Sequence, residues 1–162
     1  CAARVGAATT NLDLSSKYLE WGQGNMRLNG IDPGHHDFIY GDALDWMKRL
    51  AKRGNKHDLV ILDPPPFART RKAAGSALKG YREMNKLAMQ LTTPGGLLCT
   101  TSRSRHIFED RFVEQVRDAA EEAGRRVRVL RRGEQSADHP VLPAMDESRY
   151  LKHYCLQILA QV

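Results

Sequence analysis

The chain has little from which to build a disulfide framework or a zinc site. It has three cysteines in 162 residues, Cys1, Cys99 and Cys155. They are odd in number and far apart, with no C-x-x-C and no histidine cluster beside them. Free thiols in a reducing cytoplasm are what this spacing predicts, and no metal is expected. Long apolar runs are missing as well: none approaches the ~20 residues that span a bilayer, so no membrane partner is expected. No secretory or lipidation signal is visible, nor any repeat or low-complexity tract. Acids are in deficit, 19 against 25 Lys and Arg, for a formal charge of +6. An excess of this size is compatible with a nucleic-acid partner, and equally with a solvated surface that is merely basic.

What is present fits one folded domain over residues 1–162. The composition is 41% hydrophobic and 27% charged, which excludes a disordered chain. A chain of this length buries about 70% of its unfolded surface. Signals for strands and helices alternate. Ala7 to Leu12 is a short apolar and β-branched run ending at Asp13, and Ser15 or Ser16 can cap a helix that stops at Asn29-Gly30. Asp32-Pro33-Gly34 is a turn, and His36 to Tyr40 a strand ending at Gly41-Asp42. Leu44, Met47, Leu50 and Ala51 have helical spacing. Leu59 to Leu62 is an unbroken apolar run, which predicts a strand buried on both faces of a parallel sheet. Ala68 to Lys79 reads as a basic loop, followed by a helix carrying Tyr81, Met84, Leu87, Ala88 and Leu91. Pro94-Gly95-Gly96 turns into a strand at Leu97 to Thr101. Phe108, Phe112, Val116, Ala119, Ala120 and Ala123 form a helical stripe ended by Gly124. Val127, Val129 and Leu130 make the next strand, and Tyr150 to Leu159 the last. The alternation predicts an α/β fold, a doubly wound and mostly parallel sheet.

Ligands of such sheets bind at the carboxyl ends of the strands. Asp13, Asp42 and Asp63 each stand at such an end. A carboxylate accepts two hydrogen bonds at once, so Asp13 suits the hydroxyls of a ribose and Asp42 the amine of an adenine. The plainer reading is that each acid caps the helix after it. Asp63-Pro64-Pro65-Pro66-Phe67 is more specific. Consecutive prolines cannot extend a ladder and hold the chain stiffly extended. Phe67 can then offer a flat face to an unstacked base, or pack into the core at a rigid strand exit.

LVILDPPPF resembles the acid-Pro-Pro-aromatic motif of class I S-adenosylmethionine-dependent methyltransferases that act on bases. KGYREMNKLAMQLTTPGGLL and QSADHPVLPAMDESRYLKHYCLQI resemble, in order along nearly the whole chain, the large-subunit ribosomal RNA cytosine-C5 methyltransferases. The resemblance implies a Rossmann-like sheet of seven strands with the last antiparallel. It implies S-adenosylmethionine as cofactor and a base of ribosomal RNA as substrate. It places Asp13, Leu14, Asp42, Ala43 and Asp63 at the cofactor, and Asp63, Pro64, Pro65 and Phe67 at the reacting base. Cys1 to Gly6 resembles the end of the helix after the family's glycine-rich loop. The expectation is therefore a catalytic domain truncated at its start, with the first strand, that loop and any PUA domain preceding it.

One departure concerns the chemistry. The cytosine-C5 members carry a cysteine between two serines where this chain has Ser102-Arg103-Ser104. Carbon 5 of cytosine is a weak nucleophile, and a thiolate must add to carbon 6 to activate it. Arginine cannot do so, and Cys99 and Cys155 read as packed strand residues. A base nitrogen, guanine N7 for example, needs no covalent step.

Arg69, Arg71 and Lys72, with Lys79 and Arg82 after them, are candidate phosphate contacts, extended by Arg103, Arg105 and His106. A solvated loop explains the same charges. Asp138-His139, without a nucleophile beside it, reads as a loop brace. Three functions compete: an RNA base methyltransferase, a non-catalytic RNA-binding module of the same fold, and a small-molecule methyltransferase, which the basic loop disfavours. The oligomeric state is not read from the sequence; a homodimer is one state it allows.

Overall fold

The computed structural model describes residues 1–67 and 70–160, and of Arg71 and Glu147 the backbone alone. The elements are β1 (Thr10–Asp13), α1 (Ser16–Leu28), β2 (Asp37–Tyr40), α2 (Ala43–Lys52), β3 (His57–Leu62), α3 (Ala74–Leu91), β4 (Thr92–Ser102), α4 (Glu109–Glu122), β5 (Arg126–Gly133) and β6 (Lys152–Leu159). Two compact units divide the chain, Cys1–Arg49 and Leu50–Val162.

In the first unit β1 and β2 are parallel neighbours, paired from Thr10 with Asp37 to Asp13 with Tyr40. α1 packs on both strands. Its start is fixed by Ser15, whose hydroxyl accepts a hydrogen bond from the Tyr18 amide at 3.3 Å.

In the second unit four strands run in the order β3-β4-β6-β5. β3 and β4 are parallel, while β6 is antiparallel to both its neighbours. The expected parallel sheet with an antiparallel last strand is thus what forms. α3 and α4 pack on each other and on the sheet, so they cover one of its faces. The core lies there: Tyr81, Met89, Leu98, Phe112, Leu156 and Ile158 are fully buried. Phe67, Tyr81 and Phe112 stack edge to face in series, with centroids 4.9 and 5.4 Å apart. The helix seam is closed by charge. Arg82 donates to the Gln115 side chain at 2.9 and 2.8 Å and pairs with Asp118 at 2.8 Å, and Lys86 pairs with Glu122 at 3.2 Å.

Three expectations are corrected. β3 is not buried on both faces: it is an outer strand of its sheet, with Leu59 45% and Ile61 69% exposed. An apolar run reports a strand's composition and not its place in the order. The basic loop is shorter than read, because α3 begins at Ala74, where the helix formers Ala74, Ala77, Leu78 and Lys79 carry it more than a turn further despite Gly75. Phe108 is not on the buried stripe of α4: it precedes the first turn and is 59% exposed.

The contrast between the two phenylalanines is measurable. Phe112→Ala should cost about 3–5 kcal/mol by leaving a cavity in the ring series, and Phe108→Ala no more than about 0.5 kcal/mol. Urea unfolding monitored by circular dichroism reads both; equal losses would contradict this packing.

Candidate functional site

The first unit presents two acids at adjacent strand ends. Asp13 closes β1, and one of its oxygens accepts from the Ser15 amide at 2.7 Å. Asp42 follows β2, and one of its oxygens accepts from the Asp45 amide at 3.0 Å, capping α2. The plainer reading therefore holds for Asp42, whereas Asp13 braces the turn ahead of α1, whose cap is Ser15 itself; each acid uses only one oxygen. The second oxygens have no protein partner among the described residues. Leu14, 68% exposed, lies beside Asp13, and Ala43 opens α2 beside Asp42.

Gly41 makes this exit from β2 feasible. Its φ is +148°, and a Cβ there would lie 2.4 Å from Nε1 of Trp46, whose N–H donates to the Tyr40 carbonyl at 3.2 Å. Free carboxylate oxygens at neighbouring strand ends, with an exposed apolar side chain between them in sequence, fit the hydroxyl and amine donors of an adenosine.

The second unit presents the proline-rich exit. Asp63 follows β3, Pro64 is buried, Pro65 and Pro66 are exposed, and Phe67 is 38% exposed with its edge against Tyr81. β3 and β4 are paired up to Leu62 with Thr100, so their carboxyl ends emerge side by side. Arg103, directly after β4, places its Nε 3.3 Å from the Asp63 carboxylate. Both side chains are about half exposed (46% and 48%), so the pair adds little to stability and serves chiefly to position the two groups.

Behind Arg103 stands a residue that sequence reasoning missed. Lys152 is 4% exposed and donates from Nζ to the Ser104 carbonyl at 2.5 Å and to the Tyr150 carbonyl at 2.8 Å. It therefore ties the start of β6 to the Ser102–Ser104 turn. Burial pushes its ammonium down to about 8, with Glu109 opposing. The signal was available: Lys152 shares the period-two face of Tyr154, Leu156 and Ile158, where a solvated lysine does not belong.

The remaining candidates divide. Cys99 lies within β4 opposite Cys155; burial and the neighbouring thiol push it up to about 11, so Cys99 is not a ready nucleophile. Lys72, Lys79 and Arg105 are exposed. Arg69 and the Arg71 side chain lie outside the described residues. Arg82 is not free for phosphate, being held by Gln115 and Asp118. Ser136 donates to Asp138, and His139 lies on the same Asp138 oxygen at 3.2 Å. Both converge on one carboxylate, so the histidine does not activate the serine, and the cluster braces a loop.

The class of protein to which these two units belong is given by the family comparison. The model of the S-adenosylmethionine-dependent methyltransferases matches residues 1–156, and the chain belongs to that family. It is 38% identical over 152 residues to "Ribosomal RNA large subunit methyltransferase I" of Shewanella denitrificans, covering 93% of this chain and 38% of that protein. The protein of the same name from Klebsiella pneumoniae is 35% identical over 150 residues, again 93% of this chain and 38% of the relative. The chain thus spans less than half the length of these relatives. Its fold is similar to a SAM-dependent methyltransferase from Agrobacterium tumefaciens (TM-score 0.70, 22% identity, 98% of this chain and 51% of that one). It is also similar to the M. jannaschii tRNA m1G37 methyltransferase (TM-score 0.59, 16% identity, 99% and 40%).

Lys152 gives a pH test. An unfolded lysine titrates near 10.4 and this one near 8. Between those values the unfolded chain binds more protons, so this residue makes stability rise with pH through that window. The stability difference between the native protein and Lys152→Met should grow in favour of the native protein by about 2–3 kcal/mol from pH 7.5 to 10.5. A flat difference in urea titrations across that range would place the ammonium in water.

Proposed function

We propose that this chain transfers a methyl group from S-adenosylmethionine to a base of large-subunit ribosomal RNA, in the cytoplasm, and that the accepting atom is a nitrogen. The substrate class rests on the named relatives at 38% and 35% identity. The accepting atom rests on one observation: Arg103, where the cytosine-C5 pattern needs a thiol, is engaged with Asp63 of the proline-rich exit.

The bound cofactor supplies an electrophilic methyl group. Asp13 and Asp42 would accept from its ribose hydroxyls and adenine amine with the oxygens their backbone hydrogen bonds leave free. Pro64 to Pro66 keep the backbone extended beyond β3, so that Phe67, fixed along one edge by Tyr81, offers its remaining surface to the target base. Arg103 neutralises Asp63 and retains N–H donors for a base edge or a phosphate. A nitrogen acceptor would form its bond to the methyl group as the methyl–sulfur bond breaks, so no residue of this chain would have to bond covalently to the base. Lys72 and Arg105, both exposed, would hold backbone phosphates.

Two measurements test this. RNA containing 5-fluorocytosine traps enzymes that add a thiolate to carbon 6; this protein should form no gel-stable adduct. Ribosomal RNA from cells lacking the gene should lose a methylated nucleoside other than 5-methylcytidine, read by mass spectrometry. An adduct that disappears in Cys99→Ala would restore the carbon-5 reading, and no lost nucleoside would favour a non-catalytic RNA-binding module.

On the cofactor side, Asp13→Asn keeps the acceptor for Ser15 and removes the charge. It should weaken S-adenosylmethionine binding about tenfold, some 1.4 kcal/mol, by calorimetry. Unchanged affinity would leave Asp13 a brace for the turn at Ser15 alone.

A further inference from the structure

The most strongly basic element in the fold is one that the proposed site does not use. The segment from Arg125 to Arg132 holds five arginines, and β5 is an outer strand of its sheet. A regular strand would alternate its side chains and put Leu130 on the face of Arg126 and Arg128. A bulge prevents this. The pairing with β6 shifts between Val129 and Arg131, so that Arg126 stands opposite Leu159, Arg128 opposite Gln157 and Arg131 opposite Cys155. Extra residues in bulges re-aim the side chains that follow. Here Leu130 drops out of the ladder and three arginines share one face, away from α4.

The same bulge sends Arg132 to the other face. There it meets Glu109 of α4 at 2.5 Å and Glu134 at 3.8 Å. The two faces are therefore treated differently. The arginine on the helix side is neutralised. Arg126, Arg128 and Arg131 are exposed, and β4, β5 and β6 contain no acid. Among the described residues Arg128 has only a long contact to the Gln157 side chain, at 3.5 Å, and Arg126 and Arg131 have no ion pair or side-chain hydrogen bond.

We infer that Arg126, Arg128 and Arg131 form a phosphate-binding row for the RNA that this protein acts on, separate from the proline-rich exit. The inference rests on the proposed RNA substrate. Arg126 and Arg128 are about 6.7 Å apart along the strand, a spacing comparable with that of successive phosphates in an extended RNA strand. Guanidinium groups bind phosphate through paired donors, and contacts of this kind set position without reading sequence. Guarding an edge strand against pairing with another chain would need charge of either sign on either face. It would not need the acid-free sorting that the bulge produces.

The test is RNA binding by the whole protein as a function of salt, with deproteinised large-subunit ribosomal RNA and a single-stranded RNA oligonucleotide as probes. The triple variant Arg126→Gln, Arg128→Gln, Arg131→Gln should lower the slope of log affinity against log salt by about two, since each single-strand phosphate contact contributes about 0.7. The matching Arg→Lys triple should keep most of the slope. Arg111→Gln with Arg117→Gln removes charge from the α4 face, where each arginine already faces an acid, and should leave the slope alone. Salt-dependent binding by the native protein with an unchanged slope in the Gln triple would overturn the arginine row while sparing the RNA reading. Self-association of the Gln triple with undiminished RNA affinity would likewise overturn it, in favour of edge protection. Absence of salt-dependent binding by the native protein would overturn both.

Discussion

The second unit depends on where its last strand goes. β6 is antiparallel and hydrogen bonded along both edges, to β4 from Leu97–Gln157 to Ser102–Lys152 and to β5 from Arg126–Leu159 to Gly133–His153. Without it β5 has no partner in the sheet and α4 has less to cover. The strand is amphipathic by face. Lys152, Leu156 and Ile158 are buried, with Tyr154 among them, and they meet the helices. His153, Cys155 and Gln157 point to the other side. The ring series Phe67–Tyr81–Phe112 ends near Tyr154, whose hydroxyl meets Glu109, and Lys152 holds the turn carrying Arg103. One strand thus fixes the core, the position of the arginine turn and the register that the bulge in β5 disturbs.

The order of elements was legible because hydrophobic period and punctuation agree along most of the chain. Ser15, Asn29-Gly30 and Gly124 stop or start helices where their chemistry says they should. The strand-end acids were legible for the same reason, since strands ended cleanly at Asp13 and close to Asp42 and Asp63. What was not legible depends on neighbours distant in sequence. Nothing within Leu59–Leu62 tells an outer strand from a central one. The role of Arg82 was misread because its partners lie about 33–36 residues on, in α4. The bulge in β5 is invisible to an alternation count, because it is defined by its pairing with β6. Lys152 is the instructive omission: the period-two pattern that identified the strand also places a lysine among its buried residues.

In the proposed function the acids at the strand ends serve fold and ligand together. A carboxylate has two oxygens. In Asp13 and Asp42 the local backbone takes one of them, which orients the group and leaves the other for the proposed ligand. The structural and binding interpretations are therefore complementary. Removing the side chain would disturb both roles at once, whereas the amide analogue separates them.

The same caution applies to charge. A net charge of +6 gives no address. The acids of this chain are concentrated in α4, where Glu109, Asp110, Glu114, Asp118, Glu121 and Glu122 account for six of the 19. They draw in Arg82, Lys86, Arg111, Arg117 and Arg132. Those cations are spent within the fold, and their contribution to a polyanion's affinity is largely cancelled by the acid beside them. The effective positive field must therefore arise where acids are scarce: at the exposed lysines and arginines beyond β3 and β4, and along the acid-free face of β5. The distribution of the minority charge, more than the size of the excess, decides which surface of this protein a polyanion meets first.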